Sequence, residues 1–242
     1  SVASDPDCDP KLPTMGSIRE RELYRYGLRN ADAEIVQTET QQKMLRAGFS
    51  LSSTVLPMPC ETLPPAGDSM TRDSTVAWIG RLDPVKRPEA VVDIAAMCPE
   101  LAFELIGPPG GDASYQAMVS ERVAAIDNAT LLGPIDFSAM RGCYERSLLL
   151  LCTSRFEGFP NTFLEAWSCG CPVVSTGDPD GVIKRHGLGL SSPDLSAIPE
   201  LVREVAANRD AYASRCREFF NAYHEKDTAM ARFEQVLSTC SK

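Results

Sequence analysis

The chain has 242 residues, a formal net charge of −9, 43% hydrophobic residues and 24% charged residues. That composition is ordinary for a globular protein and argues against whole-chain disorder, while the negative charge argues against a general nucleic-acid binder without forbidding an anion held by a few local cations. No apolar run approaches the roughly 18 residues of a membrane helix, no secretory signal pattern opens the sequence, and nine scattered cysteines without a CxxC, with only two histidines, argue against a zinc site and for a reduced setting.

Residues 1–16, with Pro6, Pro10 and Pro13 among polar residues, read as a loop or frayed terminus. Residues 17–30 have a helical pattern that offers Ile18, Leu23, Tyr24 and Leu28 to one face. AEIVQT (33–38) reads as a short buried strand, ETQQKMLRAG (39–48) as a helix stopped by Gly48, and TVLPMP (54–59) as a strand or extended segment. The Pro- and Gly-bearing stretch at 61–73 is the best linker candidate.

After it the rhythm changes. Short apolar runs at 75–80, 102–107, 129–133, 148–152, 172–176 and, more weakly, 188–190 alternate with helical stretches at 87–98, 113–126, 136–147 and 161–169. Runs buried on both faces and separated by helices mean an α/β fold, a doubly wound parallel sheet with right-handed crossovers. Several cysteines sit inside apolar runs, as Cys152 does in LLLLCTS, and read as small core residues. Three helical stretches close the chain, the last near 225–238 with Ala229, Phe233 and Leu237 at four-residue spacing.

In such a sheet, ligands bind beyond the carboxyl ends of the strands. The segments to inspect are therefore Gly80–Arg81, GPPGG (107–111), Gly133–Pro134 and 153–161. Arg81 and Lys86 in GRLDPVKRPE suit a diphosphate by fork and point charge, although solvated loop charges look the same in sequence. Thr162 to Ser168 fits a helix with Asn161 as N-cap, and the free N–H groups of its first turn make an anion site. Glu165, one turn in, suits ribose hydroxyls, or is simply a carboxylate favoured near a helix amino end. Glu157 taken alone reads equally well as a solvated loop acid. GPPGG lacks the Lys-Ser/Thr of a Walker A loop and the spacing of GxGxxG, and reads as a tight turn at the edge of the site.

These segments carry a family resemblance. EGFPNTFLE (157–165) resembles the glutamate-x7-glutamate signature of the retaining GT-B enzymes of glycosyltransferase family four, and EAWSCGCPVVST resembles its usual continuation. GRLDPVKRPE resembles that family's phosphate loop, LLGPID (131–136) its nucleobase-cradling strand end, and ADAEIVQTETQQKMLRAGF with VLPMP its hinge between two Rossmann-like domains. The similarity runs over residues 17–242.

The resemblance implies a remnant of the N-terminal acceptor domain and hinge at 1–58. It implies a nucleotide-sugar-binding domain with C-terminal helices at 59–242. Arg81 and Lys86 would hold the donor diphosphate, Glu165 the ribose, and Gly133, Pro134 and Ile135 the base. Gly158, Phe159, Asn161, Thr162 and Phe163 would contact sugar and phosphate, with Glu157 as the catalytic glutamate near the reacting carbon. The implied enzyme is a retaining hexosyltransferase using a UDP- or GDP-linked sugar as substrate, with no cofactor or metal. Its acceptor would be a glycan, glycolipid or small molecule. With most of the first domain missing, the expectation is little or no activity alone, and self-association through an exposed last helix. The expected location is cytoplasmic, at the inner face of the membrane in a full-length protein. Other readings are a non-catalytic GT-B-like scaffold, or an epimerase or phosphorylase of the same architecture. A phosphorylase would need a pyridoxal lysine, for which only Lys184 lies near.

Overall fold

The computed structural model describes residues 2, 4–64 and 74–240. In chain order its helices and strands are α1 (Ile18–Arg29), β1 (Ile35–Val36), α2 (Glu39–Phe49), β2 (Thr54–Val55), β3 (Thr75–Ile79), α3 (Pro88–Met97), β4 (Ala102–Ile106), α4 (Ala113–Ala124) and β5 (Ala129–Gly133). There follow α5 (Phe137–Arg146), β6 (Leu149–Cys152), α6 (Asn161–Ser168), β7 (Val173–Ser175), α7 (Val182–His186), β8 (Gly189–Ser191), α8 (Ile198–Ala207), α9 (Arg209–Tyr223) and α10 (Lys226–Cys240). The linker reading falls for its larger part on 65–73, outside the described residues.

The chain divides into two compact units. The first comprises Ser1–Glu61, Glu157–Pro160 and Ala222–Lys242; the second comprises Thr62–Phe156 and Asn161–Asn221.

The first unit holds the two-stranded parallel sheet of β1 and β2, with Ile35 opposite Thr54 and Val36 opposite Val55. Its core joins Val2, Cys8, Leu28, Val36 and Leu45. The opening segment is not frayed: Cys8 and Leu12 are fully buried, and Val2 bridges to Val36. A Ser17–Glu20 capping box starts α1. The face expected for α1 is only half realised, because Ile18 is 79% and Leu23 61% exposed while Leu28 is buried. Each helical residue turns about 100°, so Tyr24 and Leu28, four apart, share a stripe that Ile18 and Leu23 miss. Gly48 does not stop α2. The helix runs to Phe49 and ends on Ser50 in the left-handed conformation. Gly48 is instead a close-packing residue, since a Cβ there would lie 2.7 Å from the Pro10 ring. In α10 burial fades along the expected face, from a fully buried Ala229 to Leu237 at 57% exposure.

The second unit is built on six parallel strands in the order β5-β4-β3-β6-β7-β8. The chain winds outward from β3 through β4 to β5, then returns to place β6 on the other side of β3. That reversal puts the topological switch point between β3 and β6, and in sheets of this kind ligands bind beyond the carboxyl ends at that point. The central runs read as buried are buried: Val76, Ala77, Leu149, Leu150 and Val173 are almost wholly inaccessible. The 129–133 run is not, because β5 is an edge strand: Thr130 is exposed and Leu132 is 42% exposed. Alternation divides them between the faces. Val76, Trp78, Leu149 and Leu151 pack with Val91 and Val92 of α3, Val119 of α4 and Val202 of α8. Cys98, Cys143, Cys169, Cys171 and Cys216 are buried thiols, whereas Cys152 is half-buried. Among the described residues there is no group of three or more potential metal ligands, and no helix is long and apolar enough to cross a membrane.

Candidate functional site

Six loops leave the carboxyl edge of the large sheet, and the first four in chain order carry the candidate site. The first, residues 80–87, is shaped by Asp83. Its Oδ1 accepts from the backbone N–H of Val85 and of Lys86, each at 3.1 Å, and its Oδ2 lies 3.2 Å from Arg81 Nη2. One carboxylate thus folds the turn and holds the exposed Arg81 side chain. Arg87 ends the loop in the left-handed conformation (φ 53°, ψ 53°), and Pro88 opens α3.

The second loop, GPPGG, does not form a free-standing tight turn. Gly80 N–H donates to Ile106 O at 3.0 Å and Leu82 N–H to Pro108 O at 3.1 Å, so the β3–β4 ladder continues past the strands. Gly107 (φ 149°) makes this approach possible, because a Cβ there would fall 1.9 Å from the Gly80 carbonyl oxygen. Its N–H donates to Gly133 O at 2.9 Å, which seats the third loop. There Gly133 has φ 72°, Pro134 is exposed, Ile135 is half-buried, and Phe137 is exposed. The result is an open shelf at the end of β5.

The fourth loop joins β6 to α6. The helix takes in Asn161 itself, leaving Pro160 at the preceding position, one residue earlier than Asn161 as N-cap would have it. Phe163, Leu164 and Trp167 anchor α6 in the core, while Asn161 is exposed and Thr162 half-buried. The other end of α6 is fixed by Arg217 of α9, whose Nη2 donates to Cys169 O at 3.1 Å. Glu165 accepts a 2.7 Å hydrogen bond from the fully buried Tyr144 of α5. Burial raises the Glu165 pKa, and the Tyr144 bond opposes that rise.

Arg81, Lys86, Gly133, Pro134, Ile135, Asn161, Thr162, Phe163 and Glu165 therefore all belong to the carboxyl edge of one sheet. Glu157, Gly158 and Phe159 group with the first unit instead. Phe159 N–H donates to Gln37 Oε1 at 3.2 Å, and its ring lies 5.1 Å from that of His224. His224 Nδ1 is 3.0 Å from Met58 O. Burial lowers the His224 pKa to about 4, so the ring is neutral near pH 7. A carbonyl only accepts, which places the proton on Nδ1. Asp83, Arg87, Tyr144 and Gln37 went unremarked in the sequence, and His224 was weighed there only as one of two histidines too few for a zinc site. Only Arg87, adjacent to Lys86, carried a visible signal there.

Fold and carboxyl-edge loops together define a doubly wound α/β domain of the nucleotide-binding kind. The chain belongs to the family described as glycosyl transferases group 1, which it matches over residues 73–208, more than half its length. Among curated relatives, the D-inositol 3-phosphate glycosyltransferase of Mycolicibacterium smegmatis is 28% identical over 183 residues, covering 69% of this chain and 42% of the relative. That of Mycobacterium marinum is 26% identical over 235 residues, covering 86% and 49%. The chain thus spans less than half the length of these relatives. Among solved structures, sucrose-phosphate synthase from Thermosynechococcus elongatus superposes with a TM-score of 0.78 at 21% identity, covering 93% of this chain and 64% of that one. HepE of Anabaena, solved with UDP and glucose, gives 0.77 at 16% identity, covering 96% and 69%. Both share the GT-B fold with this chain.

Proposed function

We propose that the chain is the donor-binding half of a retaining glycosyltransferase that takes a UDP- or GDP-linked sugar. In this reading residues 1–58 belong to the acceptor-side half and hinge. The observation that carries it is the pairing, at the β3/β6 switch point, of the Arg81–Lys86 loop with the amino end of α6 and its anchored Glu165.

Arg81 and Lys86 hold the diphosphate, Glu165 accepts from the ribose hydroxyls, and the Gly133–Ile135 shelf receives the base. Backbone groups of Gly158, Phe159, Asn161, Thr162 and Phe163 meet the sugar and phosphate, and Glu157 lies by the reacting carbon. As the bond from the anomeric carbon to the diphosphate oxygen breaks, negative charge grows on the leaving group and the sugar takes on oxocarbenium character. Fixed cations and the positive end of α6 stabilise that change more than the ground state. The acceptor hydroxyl oxygen then bonds to the anomeric carbon on the same face of the sugar, and its proton passes to the departing diphosphate oxygen. An exposed Lys184, whose backbone rather than side chain is tied to Asp178, lacks the burial a pyridoxal lysine needs.

Calorimetric titration with UDP, GDP and ADP tests the reading, repeated with Arg81→Ala and Glu165→Ala. Each substitution is expected to cost roughly ten- to a hundredfold in affinity. Nucleotide binding that ignores both would remove it. The names of the curated relatives make a phosphorylated inositol the first acceptor to assay.

A further inference from the structure

Arg87 has no part in the donor contacts assigned above, yet its side chain crosses the switch point. Its Nε donates to Thr153 O and its Nη2 to Thr176 Oγ1 at 3.1 Å, with Ser154 O at 3.5 Å. Thr176 Oγ1 in turn donates to Ser154 O at 2.9 Å. One guanidinium therefore ties the loop after β3 to the residues that follow β6 and β7. Thr153 completes the tie from the other side. Its hydroxyl accepts from Trp78 Nε1 of β3 at 3.0 Å and lies 2.8 Å from Lys86 O, to which it donates. Arg155 N–H donates to Val85 O at 2.8 Å.

The backbone of residues 85–87 is thus gripped at consecutive carbonyls by the segment after β6. The left-handed conformation of Arg87 is one that glycine adopts freely and a residue with a Cβ does not. An arginine persists there because its guanidinium is spent on the surrounding backbone and hydroxyl oxygens. Lys86 is the residue immediately before it. Its ammonium sits on a flexible four-carbon stem, so its placement depends on how firmly its own backbone is held.

We infer that Arg87 is a positioning residue for nucleoside-diphosphate binding: by stapling the loop to Thr153 and Thr176 it fixes Lys86 at the carboxyl ends of β3 and β6. The inference rests on the donor-binding reading. It differs from a direct phosphate contact by Arg87, which would act without Lys86, and from simple support of the fold, which would cost the same whatever stands at position 86.

The test is a double-mutant cycle on the full 242-residue chain, read as UDP affinity by calorimetry. Arg87→Gly keeps the backbone conformation without strain and removes the staple. It is expected to lower affinity about tenfold with Lys86 in place and less than twofold in a Lys86→Ala background. Thr176→Val deletes one end of the staple with no change in charge, and is expected to lower affinity in the same Lys86-dependent way. Equal losses in both backgrounds, no loss from Arg87→Gly, or a loss from Arg87→Gly that Thr176→Val does not share would each overturn the inference. A wild-type chain that binds no nucleotide would instead bring down the donor-binding reading and this inference with it.

Discussion

Tyr144 of α5 and Glu165 of α6 are joined by a 2.7 Å hydrogen bond from phenol to carboxylate, inside a structure that leaves the phenol no exposure at all. The bond does two things. It orients the carboxylate, and it offsets part of the pKa rise that burial imposes on it. Tyr144→Phe should therefore raise the Glu165 pKa further and cost about 1–2 kcal/mol of stability. If Glu165 serves ribose, the variant should lose more affinity for UDP than for its 2′,3′-dideoxy analogue. Equal losses for both ligands would count against that role.

His224 makes stability depend on pH. Burial lowers its folded pKa to about 4 from the usual 6.5, with the Met58 carbonyl opposing the shift. Between those values the unfolded chain binds the proton that the folded chain refuses, so stability rises as pH rises from about 4 to 6.5 and is complete above that window. The full contribution is on the order of 3 kcal/mol. Denaturant melts at pH 4, 5.5 and 7 should show a steeper rise for the wild type than for His224→Phe. Parallel curves would show that the ring is not buried neutral.

Among the glycines at the carboxyl edge, Gly107 leaves the least room for a side chain. Gly107→Ala must move either the Gly80 carbonyl or the β4 end, since the new carbon would sit 1.9 Å from that oxygen at a φ of 149°. A loss of roughly 3 kcal/mol or more is expected. Thermal melting checks it, and a melting temperature within a degree of wild type would contradict the geometry.

Gln37 holds the glutamate-bearing segment through the Phe159 amide. Gln37→Met keeps the length and removes the acceptor, at a cost of about 1 kcal/mol. Amide exchange at Phe159 should quicken in that variant and stay slow in Gln37→Glu, which still accepts. Unchanged exchange in both would mean the bond contributes nothing to order there.

Much of the second unit was legible because burial on both faces leaves a simple imprint. Runs such as LLLLC can only be central strands when helices cover each side. Their carboxyl ends then follow from topology, and with them Arg81, Lys86 and Glu165. What could not be read were contacts that depend on crossovers. Arg87 meets Thr153 across 66 residues of sequence, and Gln37 meets Phe159 across 122. The α1 face was misjudged for a related reason: a small core needs only the Tyr24–Leu28 stripe, so two other apolar residues stay in solvent. Gly48 shows the converse, a glycine selected by a neighbouring proline ring and mistaken for a helix stop.

The polypeptide changes units after Glu61, after Phe156, after Pro160 and after Asn221. No single cut yields either unit as one uninterrupted peptide, and a fragment ending near residue 221 would keep Glu157–Pro160 while discarding His224. Chimeras with other members of this family should therefore carry Gln37, residues 157–160 and His224 from the same parent, as one inherited module scattered over three stretches of gene.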